Sequence, residues 1–121
     1  MQAQQRADDI IGYYFLKDPF NDEVTQIYIY KNSAGKYEGK VTWVDKEDKK
    51  QYVGLVFLKE LVYNTKNSKW EDGTIKYPGK KGNFSVSMNF QDEKTLKVRG
   101  YWGLAMMGKT VYWTKENKKR E

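Results

Sequence analysis

The chain of 121 residues contains no cysteine, no histidine and only two prolines, Pro19 and Pro78. Without Cys there are no disulfides, thiol nucleophiles or thiolate metal sites. Without His the commonest metal ligand, the Ser-His-Asp triad and the default general base near neutrality are gone as well. The carboxylates Glu38, Asp45, Glu60 and Asp72 remain, with Tyr and Lys as helpers. No spacing sets two of them together, as glycoside cleavage requires. The expectation is therefore a non-enzymatic protein with no catalytic residue, no metal site and no cofactor. The sequence also lacks repeats, linkers and low-complexity tracts. No apolar run approaches the ~20 residues of a membrane-spanning helix.

What is present is the composition of one folded domain: 39% hydrophobic, 31% charged and 16% aromatic residues. A chain of this size can bury a single real core. Lys and Arg number 22 against 16 Asp and Glu, a net charge of +6. The basic residues are mixed with acids, as in 45–50 and 115–121, which reads as solvated loops. Lys76, Lys80 and Lys81 form one basic loop patch. The aromatics, however, fall mainly on the buried set and no RNA-recognition signature is present, so nucleic acid is disfavoured as a partner. Residues 1–10 form a polar segment with one helical turn near 6–11. Residues 11–115 form the domain, and 116–121 a charged tail expected to fray.

Alternation dominates from residue 10 onward. Tyr37, Gly39, Val41 and Trp43 share one face of their segment, and Glu38, Lys40 and Thr42 the other. Phe84, Val86, Met88 and Phe90 alternate likewise with Ser85, Ser87 and Asn89. Period 2 with one apolar face predicts half-buried antiparallel strands. The same rule predicts strands over 12–17, 24–31, 36–44, 51–57, 59–64, 73–77, 84–90, 95–102 and 108–115. Short turn-like connections join them, such as Asn32-Ser33-Ala34-Gly35. Gly39 and Gly100 fall inside strands and mark bends or close packing where the barrel curves.

Eight to nine strands in sequence predict an all-β fold, a small antiparallel up-and-down barrel of about eight strands, closed so that no edge is exposed. A five-stranded OB-fold leaves strands unused; a β-sandwich is the structural alternative. The expected inward set is Tyr14, Tyr37, Val41, Trp43, Phe84, Val86, Met88, Phe90, Leu96, Val98, Trp102, Val111 and Trp113. These side chains either fill the barrel or line a pocket for an apolar ligand.

Three segments carry a resemblance to a known family. They are Trp70, Gly73, Ile75 and Pro78; Leu96, Val98, Arg99, Gly100, Tyr101 and Gly103; and Gly108, Lys109, Thr110 and Trp113. With Gly12-Tyr13-Tyr14 and Lys36 to Val41, in this order, the chain resembles the bacterial domain of unknown function 2147 family. Tyr14 stands where that family usually has Trp. The loop at 45–50 is shorter, and the Pro78 turn lacks the usual acidic residue before it.

The resemblance implies a lipocalin-like, calycin-type barrel, made with a signal peptide and sent to the periplasm or secreted. Met1 to Gln5 carries no apolar signal core, the expectation being a mature end. By analogy with lipocalins, Tyr14 and Arg99 would meet at one barrel end. Arg99 is then either a structural plug stacked on an aromatic ring or the polar anchor of a ligand.

Two readings of function follow. In the first, the protein binds a small hydrophobic molecule or lipid in the bacterial envelope. Tyr14, Tyr37, Trp43, Met88, Trp102 and Trp113 form the walls, and Arg99 the anchor. In the second, the barrel is filled and its outer face, with Tyr28, Tyr30, Tyr101 and Tyr112, meets a protein partner.

Overall fold

The computed structural model describes residues 6–18, 22–76, 82–101 and 108–121. Eight strands run in chain order: β1 Gly12–Lys17, β2 Val24–Lys31, β3 Tyr37–Val44, β4 Val56–Asn64, β5 Lys69–Ile75, β6 Phe84–Asp92, β7 Thr95–Tyr101 and β8 Gly108–Glu116. Each pairs with its neighbour in sequence, and the row closes into a barrel. The closing pair is β1 with β8, in the register Tyr13↔Glu116, Tyr14↔Lys115 and Phe15↔Thr114. Two 3-10 helices complete the fold, η1 Ala7–Ile10 and η2 Glu47–Tyr52.

The predicted helical turn near 6–11 is η1. The two segments predicted at 51–57 and 59–64 are one strand, β4, and residues 51 and 52 belong to η2. β5 starts four residues earlier than predicted. Its alternation is hidden because Asp72 takes a left-handed φ of 63° and interrupts the ladder between Trp70 and Gly73. Glu60 in β4 does the same, with φ 64°, so Leu58 and Leu61 both turn inward although three residues apart.

Antiparallel alternation gives the barrel two unlike ends. At the η1 end lie three tight hairpins, each held by one side-chain oxygen. Asn32 Oδ1 accepts the Ala34 N–H at 2.9 Å, Asn64 Oδ1 that of Lys66 at 2.9 Å, and Asp92 Oδ1 that of Lys94 at 2.9 Å. This is the local turn chemistry that Asn and Asp favour. The last residues of β1, β3, β5 and β7 lie at the opposite end, the mouth.

The core fills the inside of the wall. Tyr14, Tyr37, Val41, Val86, Met88, Leu96, Val98 and Trp113 are buried, as alternation predicts, and Phe84, Phe90 and Val111 pack against them. Trp102 lies outside the described residues.

Trp43 is a correction. Across β2 and β3 the register steps from Gln26↔Trp43 to Ile27↔Val41, leaving Thr42 as an extra residue. Such a bulge turns every later side chain to the other face. Trp43 therefore sits on the outer wall beside Gln26, half-buried.

The C-terminal segment is also a correction, because it is tied down rather than frayed. Gln26 is completely buried under it. Its Nε2 donates to Glu116 Oε1 at 2.9 Å and to the Lys118 carbonyl at 2.8 Å, and its Oε1 accepts the Arg120 N–H at 2.9 Å. The Arg120 guanidinium grips the Glu116 carboxylate and lies 4.5 Å from the Phe15 ring and 5.1 Å from that of Trp43.

Candidate functional site

The η1 end is plugged. Ile10 is fully buried, and the core aromatics turn their polar atoms toward η1. The Tyr14 hydroxyl donates to the Ile10 carbonyl at 2.8 Å, the Trp70 indole to the Ala7 carbonyl at 3.0 Å, and the Tyr37 hydroxyl to Asp8 Oδ1. A buried ring thus keeps its polar atom satisfied. Burial pushes both tyrosine hydroxyls well above their ordinary value, with the Asp8 bond adding to the effect at Tyr37. The same hydrogen bond from Tyr37 is the main cause holding the Asp8 carboxyl below the usual range.

Tyr14 does not meet Arg99. The cation over its ring is Lys115, with Nζ at 5.9 Å, which also donates to the Asp9 carbonyl at 2.9 Å. Arg99 instead projects from the outer wall, because Val98 and Gly100 on either side of it face inward. There its Nη1 donates to Thr110 Oγ1 at 2.9 Å, and the guanidinium lies 5.2 Å from the Tyr101 ring. The structural plug expected of Arg99 is supplied by Lys115 and η1.

At mid-height the rings of Phe57 in β4 and Trp113 in β8 come within 6.2 Å of each other. These strands stand on opposite sides of the barrel, so side chains fill it at this level. Trp70 and Phe90 meet edge to face at 5.6 Å. The buried Trp113 Nε1 has no hydrogen-bond partner.

Above this layer, toward the mouth, the wall opens into a recess of about 40 Å³. Leu16, Val24, Val41, Val44 and Phe57 supply its apolar lining. Asp18, Glu23, Asp45, Lys49 and Tyr52 also border it. That space suits the end of an alkyl or aryl group, since a single water needs ~10–15 Å³ on this scale.

Of the residues predicted for a site, Tyr14, Tyr37, Met88 and Trp113 come together in the interior, below the recess. Trp43 and Arg99 lie on the outer wall, in different sectors. Sequence reasoning missed Phe57 and Tyr52. Phe57 is the extra residue in the step from Gly39↔Leu58 to Lys40↔Val56, and no alternation rule places a bulged residue. Tyr52 closes η2 where the alternation rule predicts the start of a strand over 51–57. Leu16 and Val24 were visible in strands already assigned, at the ends that face the mouth.

Three of the four carboxylates weighed for chemistry, all but Asp72, have structural partners among the described residues. Glu38 accepts from Tyr30 and Asn32, Glu60 pairs with Lys36 at 2.6 Å, and Asp45 accepts the Val24 N–H. Among the described residues no group of three or more acidic side chains could hold a metal ion. No helix among them is long and apolar enough to cross a membrane.

A family model described as "Uncharacterized protein conserved in bacteria (DUF2147)" matches residues 12–115. Among solved structures, a similar one is described as "Protein HP1028 from the human pathogen Helicobacter pylori belongs to the lipocalin family". It is 15% identical, with a TM-score of 0.72 over 89% of this chain and 83% of that one. Among curated proteins none matches.

Proposed function

Because this chain belongs to the bacterial DUF2147 family and folds as a lipocalin-like barrel, we propose that it is a non-enzymatic binding protein of the cell envelope, periplasmic or secreted, for a small hydrophobic molecule. The observation that carries this reading is the recess lined by Leu16, Val41 and Phe57 at the mouth, opposite the plugged end. A one-ended apolar cup takes a hydrophobic tail and leaves any polar head at the rim. Tyr14, Tyr37, Met88 and Trp113 form the floor beneath it rather than its first wall. Trp43 and Arg99 lie outside the cup and take no part in it.

Native mass spectrometry of the full chain, before and after mixing with a bacterial lipid extract, tests the proposal. The expected result is an added mass of a few hundred daltons. Val41→Trp, which fills the recess, abolishes it, and Trp43→Ala, on the outer wall, leaves it unchanged. A bare monomer mass in both samples overturns the proposal. It moves the function to the outer wall and a protein partner, a reading that the Phe57–Trp113 contact across the interior favours.

A further inference from the structure

On the outer face of β6, β7 and β8 two cations, Lys97 and Arg99, stand on one strand. Six cations elsewhere on the described surface have acids beside them. Lys17 pairs with Asp22, Lys31 with Asp8, Lys36 with Glu60, Lys50 with Glu47, Lys69 with Glu71 and Arg120 with Glu116. Lys97 and Arg99 have no carboxylate partner among the described residues. They sit two positions apart on one face of β7, which places them about 7 Å from each other along the strand.

The cross-strand register shows what surrounds them. Ser87, Arg99 and Thr110 form one row, and Asn89, Lys97 and Tyr112 the next. Tyr101 stands above Arg99, its ring beneath the guanidinium. Gly108 leaves the space that Arg99 occupies, since a Cβ there would meet the guanidinium at 2.7 Å. Among the described residues Tyr112 is the most exposed large hydrophobic side chain, at 51%. Neither row contains an acid. On the β5 side Ser87 faces residues 71–72 in the register step, where Glu71 is held by Asn64 and Asn67, and Asp92 and Glu116 border the face at the η1 end. Asp92 is held by the Lys94 N–H and by Thr95, and Glu116 by Arg120.

Of the five N–H groups of Arg99, one is given to Thr110, and the fork that remains suits a carboxylate. Lys97 adds a second positive point. The neutral hydroxyls and amide of Ser87, Asn89 and Thr110 match a ligand rich in hydroxyl groups. The exposed ring of Tyr112 offers an apolar face for sugar C–H groups. Two cations set among neutral donors are few for a nucleic acid, whose affinity comes from many phosphate contacts. They are also fewer than the four to eight basic residues that hold a protein to an anionic membrane.

We infer that the outer face of β6–β8 binds an acidic polysaccharide, with Arg99 and Lys97 on its carboxylates and Tyr112 against a sugar ring. The site is independent of the recess at the mouth. The test is calorimetric titration of the full chain with polygalacturonate as the probe. Neutral dextran, polyphosphate and single-stranded poly(dT) are the comparison ligands, and circular dichroism confirms that each variant folds.

The expected result is binding to polygalacturonate and none to dextran. Arg99→Gln and Lys97→Gln each weaken it by about tenfold, the scale of one lost charge-assisted bond. Tyr112→Ser also weakens it, whereas Lys119→Gln, the same charge change in the tail, leaves it unaltered. Should Arg99→Gln fail to fold, Lys97→Gln and Tyr112→Ser carry the test. No binding overturns the inference. So does an equal loss with Lys119→Gln, or indifference to Tyr112→Ser, since either means unspecific ion exchange. Tighter binding of polyphosphate or poly(dT) than of polygalacturonate also overturns it and reassigns the face to phosphodiesters.

Discussion

Gly73 shows how little slack a small barrel leaves at a single residue. A Cβ at this position would lie 2.7 Å from Leu61 Cδ1 and 2.9 Å from Val86 Cγ2. Both neighbours are buried core residues that cannot swing away. Gly73→Ala should therefore destabilise the protein by about 1–3 kcal/mol, the range for an overpacked core. It would be seen as a lower urea midpoint with an unchanged m-value. Gly100→Ala is the control. Its nearest neighbours would be 3.8 Å from a new Cβ, so its midpoint should shift far less. Both glycines break the apolar alternation of their strands in the same way. Only the packing around each separates one that is required from one that is tolerated, and no sequence rule carries that information.

At the scale of elements, most of the barrel could be read from residue order. β2, β6 and β8 follow period 2 closely, and the predicted limits of β1 and β2 are those observed. What could not be read are the places where the period slips. Thr42 is a spare residue, and that one insertion carries Trp43 from the expected interior to the outer wall. Glu60 and Asp72 reverse their backbone and hide β5. The site departs most from expectation because alternation places Trp43 inward and the lipocalin analogy places Arg99 at a barrel end. A bulge and a strand face, both tertiary properties, decide where such side chains go. The tail was misread for a related reason, since its partner Gln26 is distant in sequence.

The tail also yields a prediction about an element. Removal of residues 117–121 takes away the Lys118 carbonyl and the Arg120 N–H that meet the buried Gln26 amide. Buried polar groups left without partners cost about 1–3 kcal/mol. Truncation should lower the melting temperature and shift Trp43 emission to the red as its ring loses Arg120. An unaltered melting temperature and spectrum would mean that the tail does not pack on the wall.

For the whole molecule, the titrating groups set a wide pH plateau. The carboxyls of Asp8, Glu71, Asp92 and Glu116 are held below their ordinary values by hydrogen bonds and neighbouring cations. The folded state then binds those protons more weakly than the unfolded chain. Their contribution is present at neutrality and is lost as pH falls through ~4 and below. At the alkaline side the tyrosines act in the opposite sense. Tyr30 is pushed up to about 12, first by burial and then by Glu38, and Tyr14 and Tyr37 go higher. The unfolded chain releases these protons above ~10 while the fold retains them, so stability declines from there upward. With no histidine in the chain, urea midpoints measured between about pH 5 and 9 should be nearly level. A marked slope inside that window would contradict this assignment of the titrating groups.

The pairing of β1 with β8 makes strand order a cyclic property. The chain enters the ring through η1 and leaves it through the tail, both beside the same plug. Joined there and cut instead at any mouth connection, the sequence would still encode the same ring of strands in the same order. Cut at Asn32, Asn64 or Asp92, it would lose one of the turns that hold the plugged end. The permutations that this fold tolerates should therefore open at the four mouth connections and fail at the three turns of Asn32, Asn64 and Asp92.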